Sequence, residues 1–333
     1  MTVLELTAAL VIVIGLNLYA LSAGADFGGG VWDLLARGPR AERQRELIEH
    51  SIAPIWEANH VWLILVIVVL FTGFPQAFAR ITIFLHIPLL LMLLGIVARG
   101  AAFSFRAYGN PEGESQRGWG RVFAVASLIT PVLLGMVIGA LASGELSPRP
   151  SSAGAYLTSW TGIFPVAVGL YALVMFGFLA AVYLCREAEE TDLREDFRRR
   201  ALAAEIALGI LAAAVLAAAG RGAPEILHDL TRTPESWALH GITALSALTV
   251  LWALWNRRYR LARGAAVVQV SLILWGWAFS QYPYLVKPDL TVATAAAPEV
   301  TLELLLGALA VGLVVLLPSF LYLFRVFRKV GER

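Results

Sequence analysis

The amino-acid sequence predicts an all-α, polytopic membrane protein with about nine transmembrane helices. Of its 333 residues, 59% are hydrophobic and only 15% are charged, whereas soluble globular domains carry roughly 25% charged residues. Apolar stretches of about 20 residues, the length needed to cross a bilayer, recur along the whole chain. The segments between them are short, so no separate soluble domain is predicted.

The predicted spans follow one another with short connections. In order they are residues 5–35, 54–75, 78–104, 119–143, 157–184, 201–220, 237–256, 263–286 and 301–325. The first, third and fifth are longer than a bilayer requires, which predicts tilt or a projecting turn. We expect one integral membrane domain over residues 1–333. It would contain a four-helix bundle in 1–143, a second four-helix bundle in 157–286, and a peripheral final helix at 301–325.

Basic residues predict which side of the membrane each end of the chain occupies. Most of the 26 Lys and Arg residues fall in connections on one side of the predicted spans. Those on the other side are Arg80, Arg149, Arg221, Arg232 and Lys287. Positive charge is retained in the cytoplasm, which predicts an external N-terminus and a cytoplasmic C-terminus. Because no basic residue precedes Arg37, the chain lacks the basic region of a signal peptide, and span 1 should remain in the mature protein.

Composition also argues against several kinds of site. The formal net charge of +2 gives no indication of a nucleic-acid partner, and Cys185 is the single cysteine. One cysteine excludes a disulfide within the chain and a multi-cysteine metal site. Neither a Cys-x-x-Cys-His haem attachment nor a His-Glu-x-x-His zinc helix occurs. We therefore predict no metal ligand and no nucleic-acid partner.

Ionisable residues inside the predicted spans are functional candidates, because a charge in the bilayer must be paired or hydrated. Asp26 lies in span 1, in a glycine run that predicts close helix packing. Glu57 lies near the start of span 2, and Arg99 near the end of span 3. The predicted topology places all three in the cytoplasmic half of the membrane. They form either a proton-conducting cluster or a buried ion pair, and the residues alone leave both open.

Span 2 opens with a polar face. At about 100° per residue, Trp56, Glu57, Asn59 and His60 share one arc of the helix, and Trp62 points away from it. Such a face is typical of a lined channel or of a polar seam between helices.

The later spans carry few polar side chains. Residues 201–220 and 301–317 are rich in Ala and Leu, which predicts packing or lipid-facing helices. Glu205 and Glu303 are expected near helix N-termini, where a carboxylate complements the helix dipole.

The polar motifs resemble signatures of a known family, subunit II of the cytochrome bd quinol oxidases, including the cyanide-insensitive branch. The matching segments are residues 24–30, 51–64, 71–78, 99–103 and 282–291. The most specific of them, residues 51–64, reads Ser-Ile-Ala-Pro-Ile-Trp-Glu-Ala-Asn-His-Val-Trp-Leu-Ile. The resemblance covers the whole chain and is strongest over residues 20–106.

The resemblance implies a haem-free subunit of a membrane quinol:dioxygen oxidoreductase that generates a proton motive force. All haems, two of b type and one of d type or a b-type replacement, would belong to a partner subunit I. The location would be the cytoplasmic (inner) membrane of a bacterium or archaeon, with membrane quinol as the electron donor. The resemblance leaves open whether the complex also contains a small single-span accessory subunit, bound lipid, or a quinone lodged in this chain.

The resemblance also implies roles for individual residues. Glu57 and Asp26 lie on the proton route, with Arg99, Asn59 and His60 beside it, and Trp56 and Trp62 are oxygen-path or structural residues. Some relatives carry Asp at the Glu57 position and Gln at the His60 position. A carboxylate is retained here, but the longer side chain leaves the details of the route open.

Two other functions remain as alternatives at this stage. A proton-coupled secondary transporter would use Asp26 and Glu57 as its relay and bind substrate among broken helices, although no inverted repeat is evident. A structural anchor would contain the same polar cluster without any chemistry.

Overall fold

A computed structural model describes residues 1–52, 56–108, 114–146 and 155–330. The side chains of residues 52, 56–58, 107, 108, 114–117, 155, 317, 320, 321 and 323–330 lie outside that description. The described chain is almost entirely helical, which confirms the predicted fold class. Its elements, in chain order, are α1 (Val3–Leu34), α2 (Ala41–Ile52), α3 (Trp56–Gly73), α4 (Pro75–Phe84), α5 (His86–Tyr108), α6 (Glu114–Ser143), α7 (Ala155–Thr161), α8 (Ile163–Glu187), α9 (Thr191–Gly222), α10 (Pro224–Arg232), α11 (Pro234–Trp255), α12 (Tyr259–Gln281), β1 (Tyr284–Val286), β2 (Leu290–Thr291), α13 (Val292–Ala295) and α14 (Glu299–Val330).

Local sequence explains where several helices begin. The Thr2 hydroxyl accepts the Glu5 backbone N–H at 3.3 Å, and the Glu5 carboxylate accepts the Thr2 N–H at 2.8 Å. This reciprocal capping box satisfies two N–H groups that a helix start would otherwise leave unpaired. Helices α4, α10 and α11 each begin with proline, whose fixed φ suits the first helical turn.

Eight helices in the described ranges are long and apolar enough to cross a membrane, and the number becomes nine if the bent pair α3–α4 counts as one span. This agrees with the predicted number. The boundary prediction was wrong at residues 78–84, which belong to α4 and turn 116° away from α3. Pro75 cannot donate a backbone hydrogen bond, so the ladder of α3 cannot continue through it. The Ala297 N–H donates instead to the carbonyl of Gly73 at 2.8 Å.

Two further boundaries differ from the prediction. Helix α12 ends at Gln281, and residues that were assigned to its span form strand β1, which pairs antiparallel with β2. Helix α9 begins at Thr191, well before the predicted start at residue 201. Its first turns carry charged residues, so hydropathy marks only the part of the helix that enters the bilayer.

Glycines allow α1 to contact its neighbours at main-chain distance. A Cβ at Gly28 would overlap the main chain of Phe176 in α8, and one at Gly30 would overlap Ser127 in α6. A Cβ at Gly169 of α8 would likewise lie 2.6 Å from the carbonyl oxygen of Val132 in α6. One continuous core joins α1 with α8, α9, α11 and α12. The two predicted bundles therefore share their packing.

This close approach predicts a strong effect of adding volume at Gly28. Gly28→Val should lower the stability of the protein by at least about 2 kcal/mol, because the added methyl groups meet backbone that cannot rotate away. Gly209→Val is the matched control, since nothing lies within 4 Å of a Cβ at that position on α9. Thermal unfolding of the two variants in detergent measures the difference, and equal midpoints would contradict the packing argument.

Ion pairs form separately at the two ends of the helices. At the end predicted to be cytoplasmic, Arg40 pairs with Asp196 at 2.7 Å and Arg263 with Glu187 at 3.2 Å. Hydrogen bonding to Asp196 raises the pKa of Arg40. At the opposite end, Arg80 pairs with Asp289 at 3.0 Å. Which of these two ends faces the cytoplasm remains a prediction.

A reporter fusion tests that orientation. A reporter that is active only in the cytoplasm should be active when fused after Arg200, which lies on the basic side of the molecule, and inactive when fused after Lys287. Activity of a periplasmic reporter after Arg200 would reverse the predicted topology.

Candidate functional site

An ion pair between Asp26 of α1 and Arg99 of α5 lies inside the helix bundle. Arg99 Nη2 donates to Asp26 Oδ1 at 2.6 Å, and Nη1 donates to Oδ2 at 2.8 Å. Nη2 also donates to the Asp26 backbone carbonyl at 3.0 Å. The side chains are only 2% and 3% exposed. Two of the three ionisable residues that the sequence placed in one leaflet are thus in direct contact.

The surroundings of Arg99 complete the pair. Its Nε donates to the hydroxyl of Ser127 on α6 at 2.9 Å. The rings of Phe27 and Phe123 lie 4.8 and 4.7 Å from the guanidinium carbon, a distance at which the π face attracts a cation. Each carboxylate oxygen and most guanidinium hydrogens are therefore occupied. This bidentate geometry holds α1, α5 and α6 together.

A second ion pair continues along the same two helices. Arg106 lies two turns beyond Arg99 on α5, and Asp33 lies two turns beyond Asp26 on α1. Their closest atoms are 3.2 Å apart, and Arg106 also approaches Glu49 at 3.7 Å. The sequence analysis did not identify Asp33. Asp33 follows Asp26 by seven residues, and Arg106 follows Arg99 by seven residues. This equal spacing could have indicated a second ion pair between the same two helices.

Helix α3 lies beside α1 and contains the residues predicted to form the polar face of span 2. Asn59 is 1% exposed, and its Nδ2 has no hydrogen-bond partner among the described residues. The ring of His60 meets the ring of Tyr19 edge-on at 6.4 Å. Trp62 packs against the core that contains Tyr19. The backbone of Trp56 and Glu57 belongs to the first turn of α3, but their side chains lie outside the described residues, so their predicted roles stay predictions.

A buried polar pair also occurs where the sequence analysis expected no chemistry. Glu205 is 4% exposed and accepts a hydrogen bond from Gln269 Nε2 of α12 at 2.8 Å. The expectation that Glu205 lies near a helix N-terminus was wrong, because α9 begins at Thr191, about four turns earlier. Gln269, an isolated amide within an apolar span, was a signal of a polar contact but did not identify its partner.

A largely apolar cavity of about 290 Å³ lies between α1, α6, α8 and the helices from α9 to α12. Its few polar groups include Tyr19, Tyr171 and His240. His240 Nδ1 is 2.7 Å from the backbone oxygen of Ser236. The indole N–H of Trp277, which also lines the cavity, has no acceptor among the described residues. This space suits a small apolar molecule, or part of a larger one, that carries a polar group.

Comparison with known proteins gives one consistent result. The family model described as cytochrome bd terminal oxidase subunit II matches residues 4–327. The chain is 24% identical to cytochrome bd ubiquinol oxidase subunit 2 of Bacillus subtilis (strain 168), over 92% of this chain and 90% of that protein. It is 28% identical to cytochrome bd-I ubiquinol oxidase subunit 2 of Escherichia coli (strain K12), over 49% of this chain and 40% of that protein.

A solved structure matches the fold over almost its full length. It is that of the bd oxidase from Geobacillus thermodenitrificans, with a TM-score of 0.82 and 23% sequence identity. The match covers 98% of this chain and 99% of the other.

Proposed function

Because this chain belongs to the family of cytochrome bd terminal oxidase subunit II, we propose that it is the haem-free subunit of a quinol:dioxygen oxidoreductase. The family match over residues 4–327 is the observation that carries this proposal, and the fold agrees over the same length. The comparisons give no support to the transporter considered from the sequence. The partner is subunit I, which in this proposal holds the b-type haems and the haem d, or its b-type replacement.

The complex would oxidise membrane quinol at the outer side and reduce dioxygen to water with protons drawn from the cytoplasm. It would lie in the cytoplasmic membrane of a bacterium or archaeon. A small single-span accessory subunit and bound lipid complete the proposed assembly. Charge separation follows because protons are consumed from one side and released on the other.

Within this chain we assign proton uptake to the first turn of α3. Glu57 would accept the proton, and the polar face formed by Asn59 and His60 would guide it along the helix. The Asp26–Arg99 pair would line this route as a fixed, internally neutralised dipole, because both carboxylate oxygens of Asp26 already accept N–H bonds. Trp56 and Trp62 would form the adjacent wall of the oxygen path.

The apolar cavity supports the further suggestion that a quinone is lodged in this subunit. Its lining is nearly all apolar, as an isoprenoid tail requires, and the Trp277 N–H could donate to a quinone carbonyl. Solvent extraction of the purified complex should then yield quinone beyond the amount that exchanges with added quinol. Trp277→Phe should reduce that retained fraction.

One purification tests the main proposal. The complex isolated through a tag on this chain should give a reduced-minus-oxidised optical spectrum with b-type and d-type, or only b-type, haem bands. Co-purification of a haem-bearing partner is expected, and a preparation without haem or partner would overturn the assignment.

The chain expressed without subunit I tests where the haems are held. We expect no Soret absorption, because the family resemblance places every haem in the partner. The folded state of the isolated chain is checked by its elution as a single species on size-exclusion chromatography. A stoichiometric haem in that species would show that this chain supplies axial ligands.

A further inference from the structure

Glu205 and Gln269 form a buried pair that the proposed oxidase function does not use. Each residue is 4% exposed; Glu205 lies on α9 and Gln269 on α12, whereas the Asp26–Arg99 pair joins α1 and α5. Their single hydrogen bond runs from Gln269 Nε2 to Glu205 Oε1 at 2.8 Å. Ala204 and Leu208, on either side of Glu205 along α9, belong to the hydrophobic core.

Two oxygen atoms of this pair have no hydrogen-bond partner in the part of the chain that the structure describes. They are Glu205 Oε2 and Gln269 Oε1, both of which are buried. Among those residues, no Lys or Arg forms an ion pair with Glu205. Arg200, on the same helix, donates instead to Gln44 at 2.7 Å. The titratable neighbour on α8 is Tyr171, which carries no positive charge.

The two unpartnered oxygens are complementary if the carboxyl group is protonated. A carboxylic acid and a primary amide pair through two hydrogen bonds, acid O–H to amide oxygen and amide N–H to acid oxygen. The observed Nε2–Oε1 bond is one half of that arrangement. In that arrangement Glu205 Oε2 and Gln269 Oε1, which have no other partner among the described residues, would be the two atoms of the other half, joined by the acid proton.

We propose that Glu205 and Gln269 form a proton-binding site in which the neutral Glu205 carboxyl shares its proton with the Gln269 amide oxygen. A carboxylate here would be a buried charge without a counter-ion, an arrangement that proteins avoid. The site takes a single proton and stands independently of the oxidase assignment. Unlike Asp26, which is paired with Arg99, Glu205 has no cationic partner among the described residues.

Infrared spectroscopy of the purified complex tests the protonation state directly. The C=O stretch of a protonated carboxyl is well separated from carboxylate and amide bands. Subtracting the spectrum of Glu205→Gln from that of the unmodified complex should reveal one such band. Glu303→Gln, which changes an exposed carboxylate on α14, should remove none. Gln269→Met should keep the band and move it to higher wavenumber, because the C=O loses the amide donor.

Thermal unfolding provides the second measurement. A glutamine at position 205 can make the same two hydrogen bonds with Gln269, so Glu205→Gln should assemble and unfold within a few degrees of the unmodified complex. Loss of a carboxylate band in place of a protonated one would overturn the proposal. A second result would also overturn it. If the unmodified complex unfolds at a higher temperature in sodium than in choline, and Glu205→Gln abolishes that difference, sodium is the bound cation.

Discussion

Replacing Arg99 by leucine should prevent the subunit from folding stably, and this is the largest single effect that the structure predicts. The substitution leaves Asp26 buried without its counter-ion and removes hydrogen bonds to α1 and α6. Breaking a buried ion pair from one side costs about 3–5 kcal/mol. The yield of assembled complex and its thermal unfolding midpoint measure the effect.

Two controls distinguish the effect of breaking the buried Asp26–Arg99 pair from the effect of removing any surface charge. Arg40→Gln removes a pair in which the arginine side chain is 39% exposed, so it should change the unfolding midpoint far less than Arg99→Leu does. The double variant Asp26→Leu/Arg99→Met removes both charges and should recover most of the lost stability, since an apolar replacement of a buried pair is often tolerated. An Arg99→Leu protein as stable as the unmodified one would refute the structural role.

Turnover of the double variant distinguishes the two roles that the sequence left open. Asp26 already accepts a hydrogen bond at each carboxylate oxygen, so we expect quinol-driven oxygen uptake per haem to fall less than it does for the Glu57 substitution below. A larger loss would place Asp26 on the proton route itself.

Replacing Glu57 by glutamine should produce the largest loss of activity without loss of assembly. Glutamine preserves size and hydrogen bonding but cannot change protonation state, and proton transfer requires a group that can. We expect normal haem content and at least a tenfold fall in oxygen uptake, equivalent to about 1.4 kcal/mol on the limiting barrier. Glu57→Asp should keep more activity than the amide variant.

The measurement is quinol-driven oxygen consumption, normalised to haem, in the two Glu57 variants and in Glu303→Gln as a control for a distant carboxylate. Near-normal turnover of Glu57→Gln would make Glu57 a structural residue. The proton route would then have to pass through Asp26 or through the partner subunit.

The sequence predicted those features that hydropathy and charge encode along the chain. Long apolar runs identified the spans, whereas the rule that basic residues stay on one side did not identify the acidic partners of Arg40 and Arg263. Placing Asp26 and Arg99 in the same leaflet depended only on counting spans, so their proximity was foreseeable. Their bidentate contact was not, because it depends on the rotation of α1 and α5 about their axes.

Other features depend on contacts that no local pattern records. The turn at Pro75 falls within an almost continuous apolar stretch, so hydropathy assigned residues 78–84 to the following span. The Glu205–Gln269 pair joins residues far apart in sequence. Helices α9 and α12 are largely apolar on all sides within the membrane, so the sequence did not indicate which faces of the two helices meet. The start of α9 was missed because the first turns of this helix are charged, and hydropathy marks only its apolar part.

The main-chain contacts at Gly28 and Gly169 have a mechanical consequence. Helix α8 contacts both α1 and α6 through main-chain atoms at these glycines. No layer of side chains separates the helices there, so α8 cannot slide easily past α1 or α6. Alternating access relies on the rocking of one group of helices against another. Such a motion of α8 against α1 and α6 would first have to separate their backbones. The subunit should therefore move as one stiff body.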